Sequence, residues 1–269
     1  MAMKEPFDIF IPCAPKDYGK LAYLVSCIRR NLSGWDKIYV CSPDNSAAHD
    51  IYGGIVRDDM IFLSDSDALE LDISRFKHRP NWIYQQYMKL FQNITESDLY
   101  FTIDADVIIN RPIDLFNEAG QRIIWMGWEQ NHRPYFEFQE RMLGLHRAYP
   151  HTFINDTNFF SKAIIREMLQ RSGYTVDSFI EKSFDVIGPD CYPGEPEIFG
   201  QYVYKHHPEK YEFRQAKTTR WAKEITKAGW THSAWTDDEI RAKIEEVKDQ
   251  DIDFFMLHSW FTTNEVQAA

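Results

Sequence analysis

Residues Leu99–Pro112, which read L-Y-F-T-I-D-A-D-V-I-I-N-R-P, are the stretch that decides the fold. An apolar run rich in aromatic residues ends at Ile103, two aspartates follow one residue apart, and a second apolar run begins at Val107. Such runs are typical of buried strands. Asp104 and Asp106 are therefore expected at the carboxyl end of a strand, where open α/β sheets bind their ligands.

Strand and helix patterns alternate on both sides of this segment. Strands are predicted at Phe7–Ile11, Lys37–Cys41, Met60–Leu63, Ile123–Met126, His151–Phe160 (with a polar break) and Asp253–Leu257. Helices are predicted around Leu21–Ile28, over Trp82–Phe91 and Lys162–Arg171, and from a Thr236/Glu239 capping box through Lys248, whereas Gly188–Pro196 has the composition of a loop. The alternation predicts an α/β fold with a mostly parallel central sheet flanked by helices and an irregular carboxyl-terminal half.

The composition narrows the class of protein. The chain has 269 residues, of which 44% are hydrophobic and 26% charged, and it carries a net charge of −11. These values exclude a disordered chain and disfavour a nucleic-acid partner, which usually binds a basic face. The first residues do not resemble a signal peptide, and no run of apolar residues is long enough for a transmembrane segment. We expect one domain over residues 1–269, in the cytoplasm or at a membrane periphery.

The D-x-D triplet of Asp104 and Asp106 differs from the other three in the chain. Those triplets begin at Asp65, Asp249 and Asp251, and only the Asp104 triplet has apolar strand-like runs on both sides. Carboxylates beside a buried strand need a charged partner or a metal ion. Their hard oxygen atoms suit Mg²⁺ or Mn²⁺. The alternative is a turn in which the aspartates cap the backbone.

The strand followed by D-x-D resembles the nucleotide-sugar glycosyltransferases of the GT-A fold. The order of parts is also similar to the DUF6492-type family, which has a W-x-x-Q-Q-x-x-K-L helix before the D-x-D strand and a later S-E-Y-E-x-Y-G motif. Here the helix reads Trp82 to Leu90 without a departure, and the later motif reads G-E-P-E-I-F-G over 194–200, with Gly194 and Pro196 departing. The resemblance covers about residues 7–204, and His258 more loosely.

The resemblance implies a GT-A-type domain with a nucleotide-binding half over about 1–110 and an acceptor half over about 111–269. In that family the D-x-D segment binds the donor, and a carboxyl-terminal histidine often completes the metal site. The implied metal ligands are Asp104, Asp106 and His258, with Mn²⁺ favoured by an imidazole ligand. The implied donor-binding residues are Pro12, Cys13, Ala14, Lys89, Asp104, Ala105 and Asp106. A surface role for Lys89 and a hydrogen-bonded role for His258 stay open as alternatives.

Glycosyl transfer with inversion needs a carboxylate that removes the proton of the acceptor hydroxyl. The candidates are Glu195, Glu197, Asp156 and Asp190, although a retaining enzyme would need no such base. Asp156 is also a candidate for contacts with hydroxyls of the donor sugar. Aromatic residues near the E-Q-N-H-R-P segment are candidates for stacking on a sugar, or else they are packing residues; these are Trp125, Trp128, Tyr135 and Phe136.

Together these features predict a metal-dependent glycosyltransferase of polysaccharide synthesis. It would take a nucleoside-diphosphate sugar, with a UDP-sugar favoured, and act on a hydroxyl of a glycan or lipid-linked saccharide. Two alternatives remain: a non-catalytic protein that binds a sugar or a nucleotide, and a sugar nucleotidyltransferase. The second is disfavoured because the turn after the first strand lacks a glycine-rich phosphate loop.

Overall fold

The computed structural model describes residues 5–44, 57–127, 131–225 and 234–261. Its strands are β1 (Phe7–Pro12), β2 (Trp35–Ser42), β3 (Met60–Ser64), β4 (Leu99–Ile103), β5 (Val107–Ile109), β6 (Arg122–Met126), β7 (Thr157–Ser161), β8 (Tyr211–Gln215), β9 (Thr218–Ile225) and β10 (Phe254–Phe261). Its α-helices are α1 (Tyr18–Asn31), α2 (Asp65–Ala68), α3 (Pro80–Phe91), α4 (Arg133–Leu143), α5 (Lys162–Arg171), α6 (Val176–Val186), α7 (Glu195–His206) and α8 (Asp237–Val247).

The central sheet has five strands in the order β3-β2-β1-β4-β7. The first four strands pair in parallel, and β7 runs antiparallel to β4. A three-stranded sheet has the order β5-β10-β9, and a parallel pair joins β6 to β8. The prediction of a mixed α/β fold with a mostly parallel central sheet is confirmed.

Alternate residues of the central strands enter two separate cores. Phe7, Ile9 and Ile11 of β1 pack with the apolar side of α1, whereas Phe10 packs on the opposite face with α3, α5 and α7. A sheet that is covered on both faces needs apolar residues at successive strand positions. This explains the almost uninterrupted apolar runs of β1 and β4.

Most predicted elements in the amino-terminal half are found within two residues of their predicted ends. The predicted helix at Trp82 begins two residues earlier, at Pro80, because proline suits the first turn of a helix. The predicted capping box also forms, since the Thr236 hydroxyl accepts from the Glu239 amide and the Glu239 carboxylate accepts from the Thr236 amide.

Two predictions in the carboxyl-terminal half are wrong. The predicted strand over His151–Phe160 is reduced to β7, because the amide of Phe153 and the hydroxyl of Thr152 donate to the Glu197 carboxylate instead of a strand partner. The predicted loop over Gly188–Pro196 ends early, because α7 begins at Glu195 with proline in its first turn. The helices α4, α6 and α7 and the strands β8 and β9 were not predicted.

None of the helices in the described ranges combines the length and the apolar character that a membrane span requires.

Candidate active site

The carboxyl end of β4 holds a tight turn that carries the D-x-D residues. The amide of Val107 donates to the Asp104 carbonyl over 3.0 Å, and the buried Ala105 lies inside this turn. The amide of Asp104 donates to the Asp156 carbonyl over 3.0 Å, which fixes the turn to the residue before β7. The turn therefore brings Asp104 and Asp106 to the same edge of the central sheet.

The strand β10 brings His258 to this edge. The amide of Leu257 donates to the Asp106 carbonyl over 2.9 Å, and His258 is the next residue. Its Nδ1 lies 3.0 Å from Asp106 Oδ2, and its Nε2 lies 3.9 Å from Asp156 Oδ2. Asp106, Asp156 and His258, which are far apart in the chain, thus meet at this edge.

Asp156 enters the site from the segment that precedes β7. Its place follows from the antiparallel pairing of β7 with β4, in which Thr157 lies opposite Ile103. Burial, followed by the charge of Asp104, raises the pKa of Asp156 to about 6, although His258 opposes the shift. The site therefore contains a carboxyl group that titrates near neutral pH, which suits proton transfer.

Lys89 lies in the same site and not on the surface of α3. Its Nζ lies 2.6 Å from Asp104 Oδ1 and 3.1 Å from Glu195 Oε1. Burial alone would lower the pKa of Lys89, but these two carboxylates hold it above its ordinary value. The lysine therefore stays charged, and it joins the D-x-D turn to the first turn of α7.

The carboxylates of this edge differ in their tendency to ionise. Burial favours the neutral form of Asp106, but the hydrogen bond with His258 and the charges of Lys16 and Lys20 hold its pKa below the ordinary value. Burial raises the pKa of Asp104, and it raises that of Glu195 to about 7 against the effect of Lys89. Negative charge is thus crowded here, and a cation would relieve it.

The described residues contain no group of three or more His, Cys, Asp or Glu side chains already arranged around a metal position. The side chains nevertheless suit a divalent ion by their chemistry. They supply carboxylate oxygens and one imidazole, which is a donor set that Mn²⁺ accepts. The buried Asp104 Oδ1 has a close contact with Lys89 but no aligned hydrogen bond, and Glu195 Oε2 has no hydrogen-bond partner. Asp104, Asp106 and His258 are the residues that would hold the ion.

The turn after β1 lies at the same edge as the D-x-D turn, because β1 and β4 are parallel neighbours. Pro12 ends β1, and the amide of Cys13 donates to the Cys41 carbonyl over 2.7 Å. Burial raises the pKa of the Cys13 thiol well above its ordinary value, so this cysteine is not a nucleophile. Cys13 and Ala14 therefore lie at the same edge of the sheet as Asp104 and Asp106.

Two lysines that the sequence analysis did not single out lie beside this turn. Lys16 Nζ and Lys20 Nζ each lie 2.6 Å from a carboxylate oxygen of Asp17. Lys20 is fully buried and also donates to Ser259 Oγ over 3.1 Å, next to His258. The sequence P-K-D-Y-G-K at the end of a predicted strand could have indicated them, since buried lysines are rare.

The remaining base candidates lie apart from the D-x-D turn. Glu197 is fully buried and accepts hydrogen bonds from Thr152, the Phe153 amide and Gln201, so it holds α7 to the segment before β7. Asp190 is exposed. Only Glu195 joins the site, through Lys89.

The aromatic candidates that the structure describes pack against different partners. Trp125 is buried in the core, and Phe136 contacts the guanidinium of Arg147. Tyr135 packs against the ring of Trp82, with ring centroids 5.8 Å apart. Trp128 lies outside the described residues.

The chain belongs to the DUF6492 family, described as a family of unknown function, whose model matches residues 8–242. No curated protein matches the chain. Among solved structures, an active-site mutant of LgtC is similar to it with a TM-score of 0.47 and 11% identity, and the galactosyltransferase LgtC with donor and acceptor sugar analogues has a TM-score of 0.46 and 11% identity. Both alignments cover 93% of this chain and 87% of the other.

A mouse protein, xyloside xylosyltransferase 1 in its apo form, is similar with a TM-score of 0.45 and 12% identity. That alignment covers 93% of this chain and 97% of the mouse protein. These similarities concern the overall course of the chain.

Proposed function

We propose that this chain is a metal-dependent glycosyltransferase with a GT-A-type architecture. It transfers a sugar from a nucleoside-diphosphate sugar, with UDP-sugars favoured, to a hydroxyl of a glycan or lipid-linked saccharide. The observation that carries the proposal is the meeting of Asp104, Asp106, Asp156 and His258 with Lys89 at the carboxyl edge of a parallel sheet. Such an edge is where open α/β sheets bind ligands.

The residues of this edge have different chemical roles in the proposed reaction. Asp106 stays ionised, and with Asp104 and His258 it would hold a divalent ion. When bound, such an ion neutralises the charge of a leaving diphosphate. The buried Lys89 contacts Asp104, and the turn of Pro12, Cys13 and Ala14 would contact the nucleoside.

The acceptor hydroxyl must lose a proton to a nearby group. Asp156 and Glu195 are the candidates that belong to the candidate active site. Burial and neighbouring charges raise their pKa values to about 6 and about 7. A base is most effective when its pKa lies near the working pH. Glu197 has the weakest case, since hydrogen bonds from its neighbours already occupy both of its oxygens.

A donor screen tests this proposal. The protein is incubated with UDP-, GDP- and CMP-sugars and Mn²⁺, and nucleotide release is followed by anion-exchange chromatography, with water or added saccharides as acceptor. We expect release from one donor class, and loss of release in Asp106→Asn. The matched control is Asp249→Asn, an exposed aspartate of another D-x-D triplet, which should keep the wild-type rate.

Two outcomes would contradict the proposal. Full release by Asp106→Asn would remove the D-x-D turn from the reaction. Nucleotide binding without any release would favour a non-catalytic binding protein, and formation of a sugar nucleotide from a sugar phosphate and a nucleoside triphosphate would favour a nucleotidyltransferase.

A further inference from the structure

A second group of polar and aromatic side chains lies near the candidate active site. We call it the basic–aromatic cluster, and it consists of His78, Arg79, Trp82, His132, Tyr135 and Tyr192. Tyr192 is its centre, since the rings of Trp82, His132 and Tyr135 each lie 5.5 Å from its ring and that of His78 lies 5.1 Å away. His132 Nε2 lies 2.6 Å from the Tyr192 hydroxyl.

Two segments with the same local sequence build this cluster. His78-Arg79-Pro80 leads into α3, and His132-Arg133-Pro134 leads into α4. In each helix an aromatic residue, Trp82 or Tyr135, lies within two residues after the proline. The two rings stack with an interplanar angle of 10°. The two arginines differ, because Arg79 turns into the cluster and Arg133 is exposed.

Arg79 is the charged member of the cluster. Its guanidinium carbon lies 4.4 Å from the centre of the Trp82 ring and 5.8 Å from that of Tyr192. Within the described ranges it forms no hydrogen bond and no ion pair with a carboxylate. Its backbone has φ 44°, and it is the one described residue other than glycine with a positive φ. Residues other than glycine rarely adopt a positive φ, and those that do are often found at functional sites.

The neighbours of Arg79 leave hydrogen-bonding capacity for a ligand. His78 Nε2 is buried and has no hydrogen-bond partner among the residues that the structure describes. Burial and the charge of Arg79 lower the pKa values of His78 and His132, so both imidazoles are neutral at pH 7. Asp190 is the carboxylate that acts on His78, and it is exposed. The guanidinium of Arg79 and the ring of His78 thus both lie near Tyr192, in a protein of net charge −11.

Two residues of chain, Pro193 and Gly194, separate the cluster from the candidate active site. Tyr192 is followed by Pro193, Gly194 and then Glu195, which contacts Lys89. Gly194 lies so close to Tyr135 that a Cβ at this position would come within 2.6 Å of its ring. The absence of a side chain at Gly194 therefore lets the cluster pack directly against the start of α7.

We propose that the basic–aromatic cluster is an acceptor subsite that recognises an oxyanion. Arg79, with His78, binds a phosphate or carboxylate carried by the acceptor saccharide, and the aromatic rings contact its apolar faces. A guanidinium offers paired donors to either group, which an ammonium does not. The assignment of the bound group to the acceptor rests on the proposed glycosyltransferase function, whereas the binding of an oxyanion does not.

The test is direct binding to protein that has been freed of metal with EDTA and then dialysed to remove the EDTA, so that no metal at Asp106 contributes and no chelator carboxylate competes. The probes are glucose 1-phosphate, glucuronate and, as the neutral control, glucose, each titrated calorimetrically. We expect at least one anionic probe to bind and glucose not to bind. Arg79→Gln should weaken that binding at least tenfold, whereas Arg133→Gln, the exposed arginine of the other H-R-P segment, should change it less than twofold.

Two further variants show whether a loss of binding comes from unfolding of the protein or from the D-x-D site. Arg79→Gly accepts the positive φ and removes the guanidinium, so it should lose binding without a fall in the melting temperature. Asp106→Asn should bind the probe as the wild type does. Unchanged binding in both Arg79 variants, equal loss in Arg133→Gln, the absence of binding, or displacement of the probe by metal-free UDP would overturn the proposal.

Discussion

At the scale of single residues, the central feature of the site is a buried lysine held between two carboxylates. Lys89 Nζ contacts Asp104 and Glu195, and all three side chains are mostly or wholly removed from solvent. A buried ion pair is weak evidence for net stability, but the loss of one partner leaves an uncompensated charge. The surroundings of Lys89 therefore depend on all three side chains together.

Replacing Lys89 with methionine keeps an unbranched side chain, one atom shorter, and removes its charge. We expect the free energy of unfolding to fall by about 3–5 kcal/mol, the usual cost of breaking a buried pair. Urea unfolding measures this, and Lys89→Met combined with Glu195→Gln should recover part of the loss. As the control, Lys37→Met at the more exposed Lys37–Glu96 pair should leave the unfolding midpoint unchanged. An equal loss in both single variants would contradict the argument.

The raised pKa of Glu195 gives a prediction about pH. The folded chain keeps the Glu195 proton up to about pH 7, whereas the unfolded chain releases it near the ordinary value of 4.5. Protonation therefore stabilises the folded state, and this contribution is lost as the pH rises through about 7. Glu195→Gln should gain stability relative to the wild type from about pH 5 to about pH 8. A difference that is constant over this range would show that Glu195 does not titrate as described.

At the scale of elements, α7 shows what the sequence could not indicate. Gly194 and Pro196 suggest a loop by composition, yet the helix begins at Glu195, and Gly194 and Gly200 are needed because a Cβ would meet the rings of Tyr135 and Phe153. The polar break before β7 has a similar cause, since Glu197 of α7 satisfies Thr152 and Phe153. These helix and strand limits depend on contacts between distant segments, which local patterns do not contain.

Gly200 provides the test at this scale. In an exposed helix, Gly→Ala stabilises by about 1 kcal/mol. A Cβ at position 200 would lie 2.1 Å from an atom of the buried Phe153 ring, so Gly200→Ala should instead destabilise by about 1–3 kcal/mol. Gly188→Ala is the control, because no atom lies within 4 Å of its added Cβ. Thermal unfolding of both variants shows whether Gly200→Ala raises or lowers the stability of the protein.

At the scale of the whole molecule, the central sheet and the D-x-D edge were predictable and the full site was not. Apolar runs revealed β1 and β4 because both faces of the sheet are covered. The meeting of His258 with Asp106 was expected from a resemblance, and the pairing of β10 with β5 is what brings it about. The basic–aromatic cluster arises only when separate elements come together, whereas Lys16, Asp17 and Lys20 are neighbours in the chain.

The central claim is that the edge formed by Asp104, Asp106, Asp156 and His258 binds a divalent ion together with a nucleotide. Calorimetric titration of UDP, with and without Mn²⁺, into the wild type, Asp106→Asn and Asp249→Asn tests it most directly. We predict UDP binding that requires Mn²⁺, persists in Asp249→Asn and is lost in Asp106→Asn. UDP binding that is the same without Mn²⁺ and in Asp106→Asn, or no binding of UDP, GDP or CMP under any condition, would contradict the claim.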